Sequence, residues 1–330
     1  MKKRLVWLSV LSACLCLLLA ACGQERGASP ASSKDSASAD SWPKELHIGY
    51  QKSSFSLFLK EKGYLEKQLQ KHGVQVKWFE FQSGPPLLEA LNAGQIDIGY
   101  VGGAPAVLAQ ANPDSQLVYL AYEPEVARAI IVPKTSSIQT VADLKGKKVA
   151  FGKGSSAHYT LLTALETAGL TLNDITPVYL QPSEARTAFE RGDVDAWVIW
   201  DPFLADAEVN GGARILMDAK GLPKQYGFIV GRNGYVKQYA DVAKTVIAQL
   251  NKVHQEIHSS PDEAAKLLAK ETKIGEEIWK RTLSRREYGV FPLTKEVVDA
   301  QQRIADRFYE AGVIPKRVKV EDAVVVIKGQ

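Results

Sequence analysis

The residues best suited to chemistry are Gly152-Lys153-Gly154-Ser155-Ser156-Ala157-His158, a run of glycine and hydroxyl groups between a strand-like and a helix-like segment. Helix N-termini present unpaired backbone N–H groups and the positive end of the helix dipole, so such a run suits a small tetrahedral oxyanion. Glycine lets the backbone approach closely, and serine hydroxyls add directional donors. The order of Gly, Lys and Ser is not that of a nucleotide P-loop. A plainer reading fits the local sequence equally well: Ser155 or Ser156 merely caps the helix. Gln51-Lys52-Ser53-Ser54 and Ser83-Gly84-Pro85-Pro86 are weaker counterparts nearer the N-terminus. Trp197, Trp200, Asp201, Pro202 and Phe203 form an aromatic strand end. Alternation turns Trp197 toward the core, while Trp200, at the strand's tip, suits an apolar ligand wall.

Catalytic chemistry finds little footing. His47, His72, His158, His254 and His258 are scattered; His254 and His258 have the spacing for a metal on one helix face but no third ligand, so a solvated face is expected. Ser156 and His158 lack the third group that orients a catalytic base. Neither metal nor cofactor is expected, and the chain reads as a binding protein rather than an enzyme.

The elements that must position these residues alternate apolar runs with helix-period stretches, the pattern of an α/β protein. Leu46–Tyr50, Val74–Phe81, Ile96–Val101, Lys148–Phe151, Thr176–Leu180 and Ala196–Trp200 read as strands. Two segment pairs recur about a hundred residues apart, in the same order. Ile48-Gly49-Tyr50-Gln51 matches Val149-Ala150-Phe151-Gly152, and Ala90–Asp97 matches Ala188–Asp195. The chain therefore predicts two lobes, with a Gly/Ser loop and a strand end from each facing a cleft. Arg128–Pro133 and Tyr226–Gly231 read as the crossings. This sets lobe I at 43–125 plus 226–330 and lobe II at 126–225.

The first residues carry a separate message. Lys2, Lys3 and Arg4 precede an apolar run from Leu5 to Ala21, and Leu19-Ala20-Ala21-Cys22 has the form of a lipoprotein processing site. Residues 1–21 are expected to be a signal peptide and Cys22 the lipid-bearing N-terminus, with residues 22–42 a flexible tether. The three cysteines, Cys14, Cys16 and Cys22, all fall in this region, so the remainder has no disulfide and no thiol nucleophile. Removing the signal lowers the formal charge from +4 to about +1, which argues against nucleic-acid binding.

These residues resemble the aliphatic sulfonate-binding proteins of the sulfonate/nitrate/taurine group. The likeness rests on Ile48–Lys52, Phe81–Pro85, Glu89–Asn92, Val141–Gly146, Gly152–His158, Val194–Trp197 and Trp200–Pro202. The resemblance implies a type II periplasmic-binding fold with a ligand cleft between the lobes, and a monomer on the extracytoplasmic face of a membrane. It also implies delivery of a small organic sulfonate to an ABC permease with a cytoplasmic ATPase. It carries ligand contacts to Gln51, Gly84, Pro85, Ser155, Ser156, His158 and Trp200. Taurine, nitrate or a thiamine-precursor-like solute is the alternative ligand. The family's strand-end turn commonly has an acid and two prolines where this chain has Gly102-Gly103-Ala104-Pro105-Ala106. Without that acid at Gly103, an amine-bearing ligand lacks a counter-charge, and a plain or bulkier alkanesulfonate is expected. For a monoanionic head, neutral donors are expected in preference to a buried arginine, whose desolvation is costly.

Overall fold

The computed structural model describes residues 42–327. The signal peptide, Cys22 and the tether up to residue 41 lie outside them. Ten strands form two five-stranded sheets. In chain order they are β1 (Glu45–Gln51), β2 (Gln75–Phe81), β3 (Ile98–Gly102), β4 (Leu117–Glu123), β5 (Arg128–Pro133), β6 (Lys148–Phe151), β7 (Thr176–Tyr179), β8 (Ala196–Trp200), β9 (Ala213–Asp218) and β10 (Gly227–Arg232). The first sheet runs β2-β1-β3-β10-β4 and the second β7-β6-β8-β5-β9. Each has the same plan: three parallel strands, then an antiparallel strand from a distant part of the chain. The α/β two-lobed architecture expected from the repeats is the one observed.

The repeats have a shared physical cause. Gly94 and Gly192 both adopt positive φ, 73° and 75°, the left-handed conformation that ends a helix at little cost to glycine. The aspartate that follows then accepts a backbone N–H from the neighbouring parallel strand. Asp97 takes that of His47 at 2.9 Å, and Asp195 takes that of Lys148 at 2.7 Å. Each central strand is thereby pinned at its start, and its far end is left at the cleft. All five residues of β8 are buried, as expected of a strand covered on both faces.

Helices supply the cover. Ala240–Ser259 buries Val242, Val246, Leu250, Val253 and Ile257, and Lys295–Glu310 buries Val297, Ala300, Gln301, Ile304 and Phe308; both show the helical period of an amphipathic stripe. One core cluster lies on each sheet. A third joins Tyr159 and Leu162, from the helix Ser156–Thr167, to Val107 and Phe308. Polar contacts also span the sheets' surroundings. Ser83 Oγ donates to Gln181 Oε1 at 2.8 Å, Ser183 Oγ to Gln82 Oε1 at 2.8 Å, and Arg307 pairs with Glu166 at 2.7 Å. No helix among the described residues is long and apolar enough to cross a membrane.

Two strands, β4 and β9, were not foreseen as strands. His254 also departs from expectation. It is fully buried, its Nε2 3.2 Å from Glu123 Oε1, and only His258 lies on an exposed face.

Candidate functional site

A cavity of about 470 Å³, part of it open to solvent, lies where the strand ends of the two sheets meet. Gln51, Ser53, Gly84, Tyr100, Gly102 and Pro105 line it from the first sheet's side, and Arg128, Ser155, Ser156 and Trp200 from the second. Val126, Gln225, Tyr226 and Gly227 complete it from where the chain passes between the sheets; the runs expected to be the crossings are themselves sheet strands, β5 and β10, and the passage lies just before each of them.

The helix start combines both readings of its serines. Ser155 Oγ accepts from the N–H groups of Ala157 and His158 at 3.2 and 3.4 Å and donates to Gly152 O at 2.7 Å. That is an N-cap, and it occupies the hydroxyl. Ser156 is the one left free: its hydroxyl makes no hydrogen bond among the described residues and reaches toward Gly102. A Cβ placed on Gly102 would lie 2.1 Å from it. A side chain at 102 would therefore have to displace that hydroxyl.

Arg128 is the one charged side chain among the described lining residues. It stands opposite Trp200 in the β5–β8 register and is 4% exposed. Its Nε donates to Thr160 Oγ1 at 3.2 Å, NH1 to Val126 O at 2.8 Å, and NH2 to Glu125. A guanidinium has five N–H donors, so two remain. Burial draws the group below its ordinary value, and Glu125 opposes that shift. Thr160 also accepts from Gln225 Nε2 at 2.9 Å and donates to Ser156 O at 2.9 Å. One hydroxyl therefore orients three lining residues. On the other side, Gln51 Nε2 donates to Tyr100 O at 3.1 Å. The arrangement offers a positive centre, hydroxyl and amide donors, and aromatic walls; it offers no nucleophile with a base.

A family model described as "ABC transporter, phosphonate, periplasmic substrate-binding protein" matches residues 59–270. An Escherichia coli protein named as an aliphatic sulfonates-binding protein is 40% identical over 290 residues, covering 87% of this chain and 90% of that one. A Bacillus subtilis protein of the same name is 37% identical over 286 residues, covering 85% and 86%. Among solved structures, the alkanesulfonate-binding protein SsuA of Xanthomonas axonopodis pv. citri, bound to MOPS, is 41% identical. It superposes with a TM-score of 0.82 over 86% of this chain and 99% of that one. The chain belongs to the aliphatic sulfonate-binding family of ABC importers.

Of the residues singled out in the sequence of this family member, Gln51, Gly84, Ser155, Ser156 and Trp200 line the cavity; Pro85 and His158 do not. Pro85 borders a separate surface depression with Leu88 and Leu108. His158 is buried behind its helix start. Its Nδ1 accepts the Gly154 N–H at 3.2 Å, and its ring lies 5.1 Å from that of Phe151 and 5.7 Å from that of Phe308. Trp197 is a core residue at 1% exposure, packed on Phe189.

The expectation of neutral donors in place of a buried arginine is corrected by Arg128. Its signal was present: an arginine opening the apolar run Ala129–Val132 has to be buried and therefore paired. Tyr100, Val126, Gln225 and Tyr226 carried no local signal. A Cβ at Gly103 would lie 2.4 Å from Gln301 Oε1, and Gly103 is outside the lining. A side chain at 103 would therefore meet Gln301.

Proposed function

We propose that this protein is the solute receptor of an ABC importer and takes small aliphatic sulfonates into the cleft, handing them to a permease coupled to a cytoplasmic ATPase. The observation that carries the reading is the charge pattern of the cavity: one buried arginine, hydroxyl and amide donors, aromatic walls, and no acid or lysine among the described lining residues. A guanidinium partly neutralised by Glu125 suits a monoanion better than a doubly charged phosphonate. The absence of a lining carboxylate disfavours the ammonium of taurine. The names of the 40% and 41% identical relatives support the same class. Gln51, Gly84, Ser155, Ser156, Trp200 and Arg128 are the proposed ligand contacts, and Pro85 and His158 would act one layer out. The lobes would be 43–125 plus 226–330 and 126–225, closing about the joining segments just before β5 and β10 as a hinge.

In this reading the protein is a monomer, performs no chemistry, and is held on the extracytoplasmic face of a membrane by a lipid on Cys22. Fatty-acid label retained by a Cys22→Ala chain would overturn the anchor. The receptor reading is tested by calorimetry on purified residues 23–330 with alkanesulfonates, taurine, nitrate, sulfate, methylphosphonate and a pyrimidine. Saturable heat with alkanesulfonates and weaker or no heat with taurine is expected. Silence from every sulfonate at about 1 mM ligand, a concentration that reveals even weak binding, would remove the substrate class.

A further inference from the structure

Arg286 lies outside the lining of the ligand cavity but acts on two residues that belong to it. Its NH1 donates to Ser53 O at 3.2 Å, and its positive charge opposes the upward push that burial gives the Tyr100 phenol. The same group donates from NH2 to Glu123 Oε2 at 3.1 Å and stacks 4.1 Å from the Phe55 ring centroid. Arginine and glutamate side chains are 3% and 1% exposed. Burial alone would raise the Glu123 carboxyl, but His254 and Arg286 beside it outweigh that and hold it below the usual carboxylate range. His254 is fixed in turn, since its Nδ1 accepts the Gly289 N–H at 2.9 Å.

A buried ion pair contributes little to stability relative to apolar packing of the same volume. Here the guanidinium gives one of its hydrogen bonds to a cavity residue. Ser53 belongs to the turn that carries Gln51, whose carbonyl is bonded by both the N–H and the hydroxyl of Ser54 at 2.9 Å. Tyr100 is confined on its other side by Gly227, where a Cβ would fall 2.3 Å from the phenol oxygen. We propose that Arg286 is a positioning residue for ligand binding, bracing Ser53 from behind while Glu123, itself held by His254, braces Arg286. The inference rests on the receptor reading above.

The planar fork of arginine, rather than its charge, is what this role requires. Arg286→Lys keeps a cation beside Glu123, but one ammonium on a flexible stem does not reproduce a rigid fork shared between Ser53 and Glu123. The parent and variant would be titrated with a butanesulfonate probe by calorimetry and by tryptophan emission, and melted without ligand. The lysine variant is expected to melt within about 4 °C of the parent, a shift of roughly 1 kcal/mol or less, and to bind at least about tenfold more weakly. A folded lysine variant whose affinity stays within about twofold of the parent refutes the positioning role. If that variant does not fold, Arg286→Met with Glu123→Gln removes both charges together, and the same two outcomes decide. A parent that binds no sulfonate refutes the receptor reading instead.

Discussion

The His158 imidazole is 3% exposed, and its Nε2 has no hydrogen-bond partner among the described residues. Burial, with the charge of Lys153 as a smaller cause, pulls it down from 6.5 to about 4. Between those values the unfolded chain takes up a proton that the folded protein refuses. Its contribution to stability is therefore fully present above about pH 6.5 and is lost as the pH falls toward 4, by roughly 3 kcal/mol in all. His158→Gln should flatten the dependence of the melting temperature on pH across that window. Parallel curves for parent and variant would show that another group titrates there. At this scale the sequence was a fair guide to which residues gather at the cleft and a poor one to what each does. Ser155 and Ser156 are adjacent and chemically identical, yet one hydroxyl is used as a cap and the other faces the cavity.

At the scale of elements, the decisive meeting is between the end of β3 and the start of the helix Ser156–Thr167. Gly102 has an ordinary extended backbone, with φ −69° and ψ 163°, so alanine is tolerated there without strain. Its methyl would displace the Ser156 hydroxyl. Ser156→Ala and Gly102→Ala should each weaken ligand binding by about 1.5–3 kcal/mol, the range for a lost hydrogen bond to a charged group. The double variant should lose no more than the worse single one, because both act on the same hydroxyl. Additive losses measured by calorimetry would mean that the two residues act separately. Ser155→Ala should also lower the unfolding free energy by about 1 kcal/mol, as loss of a cap does. Helix and strand order was legible here because the repeated Gly–x–x–Asp punctuation has a mechanism. The strand β4 was missed because its residues, Leu117–Glu123, are buried without a clean alternation, and a short apolar run does not distinguish strand from helix.

For the molecule as a whole, Arg285 ties the C-terminal helices to the second sheet. Its Nε donates to Asp201 Oδ2 at 2.6 Å and its NH1 to Glu208 Oε2 at 2.9 Å. Asp201 is 2% exposed and directly follows Trp200. Arg285→Met should cost about 3 kcal/mol in urea unfolding, since it strands a buried carboxylate, and adding Asp201→Asn should recover part of it. A loss below about 1 kcal/mol would class the pair with exposed ones. Periodicity, turn chemistry and composition, which act between residues close in the chain, were enough for the α/β class, the doubled strand–loop–helix plan and the absence of a thiol beyond Cys22; the family was legible from the resemblance of its motifs. Long-range folding was needed to set Arg128 opposite Trp200, to bring Arg286 to Ser53 across 233 positions, and to turn Gly103 to Gln301 rather than the cavity. Such contacts depend on which strand ends are brought together. That is settled by the packing of the whole chain, and no local pattern encodes it.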